Sequence, residues 1–380
     1  MKTRTTALGE LVEIEKGKKA SSILERPTAT SRRYLQIDDL RPDAKAKYVE
    51  PFECVTVTPS DAVIAWDGAN AGTASFNLEG YIGSTLAALR PATELYAPYL
   101  ARFLEGKFTY LQANTTGATI PHLSKDVLED LRIPLPSLSE QRRVAGQLER
   151  ADRLRRTRRY ALALSDTFLP AAFREMFREW QTAARKFSVK PLEEVVQPDR
   201  GVTYGIVQAG PHIPGGVPYI RTGDIIDGEI RPENLLRTSP EISESYKRSE
   251  VKFGDLVFSI RATVGTVAVL PKELDGANLT QGTARIAPGP GMEKLFLLWQ
   301  IRMPETQRWL MQHVKGSTFF EITLAKLREM PVFVPPASLQ ERWAGLVARH
   351  ERLRSVQRES LRQADHLFQT LLHRAFTTTF

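Results

Sequence analysis

The fold of this chain is decided by the stretch Gly117-Ala-Thr-Ile-Pro-His-Leu-Ser-Lys-Asp-Val-Leu-Glu-Asp-Leu-Arg-Ile-Pro-Leu-Pro136, because the stretch occurs twice. It returns loosely as Gly316-Ser-Thr-Phe-Phe-Glu-Ile-Thr-Leu-Ala-Lys-Leu-Arg-Glu-Met-Pro-Val-Phe-Val-Pro335, 199 residues later (316 − 117). The register continues without a gap into a charged segment and pairs Gln141 with Gln340. Solenoid repeats are ~20–50 residues long, so this spacing indicates a duplicated domain with its helix. We expect two similar lobes.

Earlier landmarks also repeat, but their offset drifts. It grows from 184 at Leu8 and Leu192 to 194 at Asp61 and Asp255. Insertions therefore accumulate inside the lobes, whereas the helical parts stay in register. The chain divides into a first lobe (1–137), a central helical region (138–178), a second lobe (179–336) and a C-terminal helical region (337–380).

The composition is that of a globular protein. At 380 residues and 42% hydrophobic, the chain can bury two cores of ordinary size. No stretch approaches the ~18–20 apolar residues that span a bilayer, and the first residues lack the apolar segment of a secretory signal. Cys54 is the single cysteine, which excludes an internal disulfide and a cysteine-built zinc site. We expect a cytoplasmic protein.

The positive charge is concentrated on the two helical regions. Residues 138–178 hold ten Arg against five acids, and residues 337–380 hold seven Arg against four acids, which together account for the net charge of +8. A pI near 9.5 with the excess on helices indicates a polyanion or an acidic protein partner. The alternative is an ordinary solvated helix face.

Both helical regions show an apolar stripe at three- to four-residue steps. In the first region the stripe comprises Val144, Leu148, Ala151, Leu154, Ala161, Leu164 and Phe168. Pro170 is expected to end or kink this helix, and the second helix starts at about Ser338. Two helices that each carry one apolar stripe can bury both stripes by packing on each other. We expect an antiparallel coiled-coil pair with approximate two-fold symmetry. Some thirty residues would span ~45 Å, more than one turn of B-DNA, so the pair could act as a ruler.

The lobes show short strands between turn residues. The first lobe predicts strands near 33–37, 54–57, 62–66, 72–77 and 85–89 and a helix at 98–105. The second predicts strands near 219–222, 255–260, 265–270 and 284–287 and a helix at 294–302. This alternation predicts an α+β fold with two similar α/β lobes and small, mainly antiparallel sheets.

Signatures of catalysis are few. The chain has no phosphate-binding G-x-x-x-x-G-K-[ST] loop, no G-x-G-x-x-G after a strand, no H-E-x-x-H and no G-x-S-x-G. The one nuclease-like hint is Pro198-Asp199 far ahead of Glu250-Val-Lys252, a weak pattern for a metal nuclease. The six histidines show no metal-ligand spacing. We therefore expect no catalytic residue and no metal site.

Several loops suit nucleic acid instead. Glycine permits close backbone approach, Lys, Arg, Ser and Thr suit phosphates, and Arg, Asn and Gln suit base edges. Each loop alone is a weak signal, because Gly-Thr-Asn clusters usually form turns, but the loops recur in both copies. The candidate DNA-binding residues are Lys16, Lys18, Lys19, Trp66, Asn70, Ser84, Thr85, Thr116, Thr119, Arg200, Tyr204, Arg221, Arg261, Gln281, Lys315, Ser317 and Thr318.

Three features together resemble a known family. They are Ile133-Pro-Leu-Pro-Ser-Leu-Ser-Glu-Gln-Arg-Arg-Val at a helix start, Ile64-Ala-Trp-Asp-Gly-Ala-Asn-Ala-Gly-Thr ahead of Tyr81-Ile-Gly-Ser-Thr-Leu, and the duplicated layout. On these residues the chain resembles the specificity subunit of type I restriction–modification systems over essentially its full length. The second copy departs from this pattern with Val334-Pro-Pro-Ala-Ser-Leu-Gln-Glu and Ile260-Arg-Ala-Thr-Val-Gly.

The resemblance implies a DNA-binding subunit without chemistry of its own. Two target recognition domains would each read half of a bipartite asymmetric site in double-stranded DNA, and the helices would set the spacer and dock two methyltransferase subunits. Restriction subunits would join for cleavage. S-adenosylmethionine, and ATP with Mg for restriction, would be bound by those partners and no cofactor by this chain.

Two other interpretations stay open at this point. The chain could be a helical scaffold that does not read sequence, or a self-contained nuclease. The sequence does not give the recognised bases or the spacer length.

Overall fold

The computed structural model describes residues 4–41, 45–117, 119–178, 188–316 and 319–377. Its contacts divide the chain into two compact units: Met1–Ala161 with Gln357–Phe380 (unit 1), and Leu162–Val356 (unit 2). The two long helices are α4 (Leu138–Met176) and α9 (Ala337–Thr377). Each unit therefore contains one lobe and part of both long helices. The division of the chain at residues 137, 178 and 336 stays a prediction.

Unit 1 is built on two four-stranded sheets. Its strands are β1 (Thr5–Ala7), β2 (Val12–Lys16), β3 (Arg32–Leu35), β4 (Tyr48–Val49), β5 (Thr56–Val57), β6 (Ala62–Ala65), β7 (Ala74–Phe76), β8 (Gly80–Ile82), β9 (Leu86–Pro91) and β10 (Arg132–Pro134). Its short helices are α1 (Ala97–Gly106), α2 (Phe108–Ala113) and α3 (Lys125–Glu129). One sheet has the antiparallel order β2-β9-β6-β7, the other has the order β4-β3-β8-β5 with β3 and β8 parallel, and β1 pairs with β10.

Strand β6 lies between two cores, and its alternation explains why all four of its residues are buried. Ala62 and Ile64 face a core that also contains residues of α1 and both long helices. Val63 and Ala65 face a second core, formed with the other sheet. Successive side chains of a strand point to opposite faces, so a strand buried on both faces is apolar throughout.

Unit 2 repeats this plan. Its strands are β11 (Val189–Pro191), β12 (Thr203–Tyr204), β13 (Val217–Ile220), β14 (Ile225–Ile226), β15 (Glu229–Ile230), β16 (Arg237–Thr238), β17 (Leu256–Ser259), β18 (Val267–Val269), β19 (Asn278–Leu279), β20 (Thr283–Ile286) and β21 (Pro331–Phe333). Its short helices are α5 (Pro240–Ser245), α6 (Lys294–Arg302), α7 (Pro304–His313) and α8 (Leu324–Arg328). The sheet β12-β20-β17-β18 corresponds to β2-β9-β6-β7, and the parallel pair β13-β19 corresponds to β3-β8.

Unit 2 has a hairpin in the stretch where the offset between the duplicated landmarks grows. Strands β14 and β15 are joined at Asp227 and Gly228, both with positive φ (52° and 75°). An Asp-Gly pair in this conformation is typical of a two-residue hairpin turn. The hairpin lies inside the lobe, between the duplicated landmarks.

The long helices pack antiparallel within each unit. In unit 1, Arg159 of α4 lies 3.3 Å from Asp365 of α9, and four residues earlier Arg155 lies 3.6 Å above the ring of Phe368. In unit 2, Ser165 hydrogen-bonds His350 at 3.0 Å, and the ring of Phe173 lies 5.0 Å from that of Trp343. Residues further along α4 therefore contact residues earlier in α9, as in an antiparallel pair. The predicted α+β lobes and antiparallel helix pairing are confirmed.

The predicted apolar seam is correct at its start and wrong further along. Val144, Leu148 and Ala151 are buried, but Leu154, Leu164 and Phe168 are 40%, 52% and 46% exposed. Near the middle of α4 in unit 1, charged groups that a count of apolar steps does not include turn inward: Asp152 is buried and Arg155 is half-buried.

Helix α4 does not end at Pro170, contrary to one of the two predicted outcomes, but continues to Met176. Proline inside a helix costs ~3 kcal/mol. The continuation carries Phe173 into the core of unit 2, followed by Phe177 just beyond the helix, and both side chains are fully buried. Burial of two such aromatic rings offsets the cost, since each contributes ~1.5–3 kcal/mol.

A buried glutamine fixes the start of each long helix to its lobe. The Gln141 amide accepts a hydrogen bond from the Tyr96 N–H at 2.8 Å and donates to the carbonyls of Glu94 (2.8 Å) and Pro136 (3.0 Å). Gln340 repeats the arrangement, accepting from the Glu293 N–H at 2.8 Å and donating to the carbonyls of Gly291 and Pro335 at 3.0 and 2.8 Å. The second copy has Leu339-Gln340 where the first has Glu140-Gln141, so the glutamine that makes the contact is present in both copies.

An ion network joins the helices of unit 1 to its lobe. Buried Asp152 accepts hydrogen bonds from Arg102 at 2.9 Å and from Arg155 at 2.7 Å, and Arg156 lies 3.3 Å away. Glu105 of α1 lies 2.6 Å from Arg102 and 2.9 Å from Arg155. Part of the helical arginine excess therefore neutralises carboxylates inside the unit.

We expect Asp152→Asn to destabilise unit 1 by about 1.5–3 kcal/mol, because Arg102 and Arg155 lose their charged hydrogen-bond acceptor on α4 and keep only their contacts with Glu105. Burial raises the pKa of Asp152, but the Arg155 hydrogen bond and the Arg102 charge outweigh it, so the pKa lies below its usual value. A depressed folded pKa means that this stabilisation is complete above the unfolded pKa of ~3.9 and is lost as the pH falls through the folded pKa.

The effect is measured by the protection of unit 1 peptides from hydrogen exchange, compared between the wild-type and Asp152→Asn proteins from pH 7 to pH 3. The exposed carboxylate of Glu79 provides the control variant Glu79→Gln. Equal protection in the Asp152→Asn and Glu79→Gln proteins at pH 7 would contradict a stabilising network.

Candidate nucleic-acid interface

Two loops meet at the same place in each unit. Loop A follows a central sheet strand and spans residues 66–73 in unit 1 and 260–266 in unit 2. Loop B precedes the short helix that leads to the long helix, and spans residues 116–122 and 315–321, of which 118, 317 and 318 lie outside the described residues. These are the loops that the duplicated sequence singles out.

The backbones of loops A and B are joined by the same bonds in both units. In unit 1 the Gly68 N–H donates to the Pro121 carbonyl and the Leu123 N–H to the Trp66 carbonyl, both at 2.8 Å. In unit 2 the Ala262 N–H donates to Phe320 and the Ile322 N–H to Ile260, both at 3.0 Å. The duplication is thus visible bond by bond.

Loop B is closed on itself in the same way in both units. Thr116 and His122 exchange two backbone hydrogen bonds at 2.9 and 2.7 Å, and Lys315 and Glu321 do so at 2.8 and 3.0 Å. The turn needs glycine: Gly117 has φ +95°, and a Cβ there would lie 2.4 Å from the Ile120 carbonyl oxygen. Gly316 has φ +90° and the equivalent contact would be 2.2 Å.

In unit 1 the structure brings several predicted residues together around Asp67. Lys16 lies 2.8 Å from one Asp67 oxygen, and His122 Nδ1 lies 2.6 Å from the other. The backbone N–H of Trp66 donates to the Thr85 carbonyl at 2.8 Å, next to Ser84. Lys16, Trp66, Ser84, Thr85 and Thr116 therefore lie in one cluster.

The carboxylate at the centre of this cluster is ionised. Burial raises the pKa of Asp67, but hydrogen bonds from Lys16 and His122 outweigh it and hold the pKa below its usual value. Asp67 was not among the predicted site residues. Its position directly after Trp66 was the available signal.

The other predicted residues of unit 1 lie around the cluster. Lys18 is exposed and pairs with Glu53 at 2.9 Å, and Lys19 and Thr119 are exposed. Asn70, within loop A, accepts a hydrogen bond from Arg41 at 3.3 Å. Arg41 is an exposed cation that the sequence analysis did not select.

Unit 2 places several of its predicted residues on or beside loops A and B. The backbone N–H of Gln281 donates to the Ile206 carbonyl at 2.9 Å, two residues from Tyr204. The backbone N–H of Ile260, which precedes Arg261, donates to the Gly282 carbonyl at 2.9 Å. Arg221 holds Asp224 through two hydrogen bonds, at 3.1 and 2.8 Å. Lys315 is exposed on loop B. Ser317 and Thr318 lie outside the described residues.

Arg200 takes part in an ion pair inside unit 2. Its guanidinium donates to both oxygens of the buried Asp255 carboxylate, at 3.1 and 2.5 Å. The Arg200 side chain is 13% exposed. Its guanidinium thus serves an internal ion pair, and its assignment to DNA contact stays a prediction.

Among residues 4–41, 45–117, 119–178, 188–316 and 319–377, no three His, Cys, Asp or Glu side chains are grouped so that they could hold a metal ion. Within the same ranges, no helix combines the length and apolar character needed to cross a bilayer.

Solved structures of similar fold exist. A type I restriction–modification S subunit from M. genitalium superposes with a TM-score of 0.61 at 14% identity, covering 99% of this chain and 96% of that one. A chain from a study of complex assembly and conformational transition of a type I R-M system has a TM-score of 0.62 at 20% identity, covering 100% and 98%.

Sequence comparison finds curated relatives over most of the chain. The specificity subunit of the type I restriction enzyme EcoBI from Escherichia coli is 27% identical, over 84% of this chain and 73% of the relative. That of the enzyme MjaVIII from Methanocaldococcus jannaschii is 24% identical, over 92% and 84%. The family model for the type I restriction modification DNA specificity domain matches twice, at residues 2–162 and 187–359. The chain therefore belongs to the family of type I restriction–modification DNA specificity subunits, which are non-catalytic.

Proposed function

We propose that each unit of this chain reads one half of a bipartite, asymmetric site in double-stranded DNA. The observation that carries the proposal is the equivalent pairing of loops A and B in both units, at which most of the predicted DNA-contact residues converge. Two equivalent but chemically different loop clusters suit two different half-sites. Hydroxyls, amides and exposed cations such as Lys19 and Lys315 supply the phosphate and base-edge contacts.

The methylation and cleavage chemistry is assigned to partner subunits. A methyltransferase subunit would bind S-adenosylmethionine and flip the target adenine out of the duplex. Restriction subunits would supply ATP- and Mg-dependent cleavage. This chain would work in the cytoplasm and hold no cofactor of its own.

Exposed apolar residues on the long helices support docking of two methyltransferase subunits. In unit 1, Leu154 of α4 and Leu367 of α9 are 40% and 44% exposed. The duplication equates them with Leu353 and Phe168 of unit 2, which are 55% and 46% exposed. Each unit thus carries the same two apolar positions on charged helices, as two copies of one partner require.

The continuous helices support a fixed spacer between the half-sites. Helix α4 has 39 residues and α9 has 41, so each extends for ~60 Å at 1.5 Å per residue. Such lengths exceed one turn of B-DNA, ~34–36 Å. We propose that these helices set the spacer length.

The half-site assignment is tested by mapping methylated adenines across a genome in cells that co-express this chain with its methyltransferase subunit. The expected result is one bipartite motif with a fixed spacer, absent from cells without the chain. Exchange of the lobe of unit 1 for that of a relative should change one half-site alone. A change in both half-sites, or no new motif, would contradict the proposal and favour a scaffold that does not read sequence.

The spacer proposal predicts the effect of a matched insertion. Seven residues inserted after both Ala161 and Val356, where the chain passes between the units, add two helical turns to each helix and leave the contacts within each unit unchanged. Seven residues add ~10.5 Å, so the spacer should lengthen by ~3 base pairs. Insertion in one helix alone is the control, and it should abolish methylation. An unchanged spacer in the double insertion would rule out the ruler.

The docking proposal predicts that Leu154→Asp removes one methyltransferase subunit and Leu353→Asp removes the other, because a charge in an apolar contact must be desolvated. Native mass spectrometry of the complex measures the stoichiometry. The matched control is Thr157→Asp, an exposed position of the same helix. Retention of two subunits by the Leu154→Asp/Leu353→Asp protein would show that these residues lie outside the interface.

A further inference from the structure

The two units carry the same side-chain pair with opposite polarity. In unit 1, Asp67 of loop A accepts a hydrogen bond from His122 of loop B at 2.6 Å. In unit 2, Arg261 of loop A donates to Glu321 of loop B at 2.9 Å. The acid stands on loop A in one unit and on loop B in the other.

These positions are equivalent by backbone as well as by sequence. Residues 67 and 122 form an antiparallel bridge, and so do residues 261 and 321. His122 and Glu321 are related by the constant offset of 199. The carboxylate and the side chain that pairs with it have therefore changed places within an unchanged backbone frame.

The change of places identifies what these side chains do. A phosphate contact made through side-chain charge needs a cation in each unit, because DNA presents the same backbone to each. Position 67 is negative where position 261 is positive. A residue that ties loop A to loop B needs only a hydrogen-bonding partner on the other loop, and that requirement is met in both units.

The conformation of loop A shows why a tie is needed. Gly68 has φ +94°, and the equivalent Ala262 has φ +58°, a left-handed conformation that is costly for a residue with a Cβ. This strained residue is adjacent to Arg261, and its N–H is held by Phe320 of loop B. The Arg261–Glu321 ion pair therefore lies next to the residue whose backbone conformation is strained, Ala262.

We propose that Asp67–His122 and Arg261–Glu321 are positioning pairs that hold loop A in its DNA-reading conformation. This inference rests on the proposed function of the loops. It assigns Arg261 to loop positioning and not to direct DNA contact, and it adds Asp67, His122 and Glu321 to the residues that determine specificity. Each pair acts on its own half-site.

Exchange of the charges in unit 2 provides the test, since Arg261–Glu321 is a simple pair whereas Asp67 also binds Lys16. The variants are Arg261→Glu, Glu321→Arg and the double exchange Arg261→Glu/Glu321→Arg. The assay is the methylation rate of the full complex on the cognate site relative to sites altered in one half. Each single variant should lower discrimination at the half-site of unit 2 by about tenfold, and the double exchange should recover most of it.

Discrimination at the half-site of unit 1, measured on the same molecules, shows that each variant is folded and assembled. Arg261→Gln serves where a reversed charge prevents assembly, with an expected loss of about threefold. The control for charge is Arg231→Glu, an exposed arginine of the same unit.

Two results would overturn the inference. Failure of the double exchange to improve on Arg261→Glu, with Glu321→Arg fully active, would establish Arg261 as a direct DNA contact. Full discrimination in all single variants would show that the pair is dispensable. Failure of the wild-type complex to discriminate either half-site would instead contradict the proposed function and is therefore distinguishable.

Discussion

The buried amide at the fourth residue of each long helix is the contact on which the structure depends. Gln141 and Gln340 are 0% and 1% exposed, and each satisfies one N–H and two carbonyl groups of the chain around it. Loss of the amide would remove three hydrogen bonds to the backbone, at ~0.5–1.5 kcal/mol each. The amide fixes where each helix leaves its lobe, so the position of loops A and B relative to that helix end follows from it.

The contact also explains which parts of the sequence could be interpreted. Glutamine at this position, after a proline-rich strand, repeats at a constant offset because the geometry tolerates no insertion between the strand and the helix. The strands β6 and β17, the helices α1 and α6 and the helix starts at residues 138 and 337 were all predictable from alternation, punctuation and this register. The strand pairs β1-β10 and β11-β21 were not, because each joins segments more than 120 residues apart in sequence.

The apolar stripe predicted on α4 shows why spacing alone does not identify the buried side of a helix. An apolar count placed Leu154, Leu164 and Phe168 inside. In unit 1, however, Asp152 is buried and Arg155 is half-buried, whereas Leu154 lies at the surface. Buried charges are stable only as a network, which joins residues from α1, α4 and the aromatic ring of Phe368 and cannot be inferred from one helix. The same reasoning applies to Pro170, since the aromatic core that carries the helix past it is assembled from residues far away in sequence.

The candidate site was predictable as a set of loops but not as a set of roles. Lys16, Trp66, Thr85 and Thr116 were selected for their chemistry, and the structure brings them together around Asp67, a carboxylate that charge-based selection for DNA contact passes over. In unit 2 the same selection chose Arg261 for its positive charge. Comparison of the two units separates these cases, because duplication supplies two solutions to one geometric problem. Where charge differs and geometry is kept, the geometry is what has been retained, and the side chains that differ freely within loops A and B are those available to read different bases.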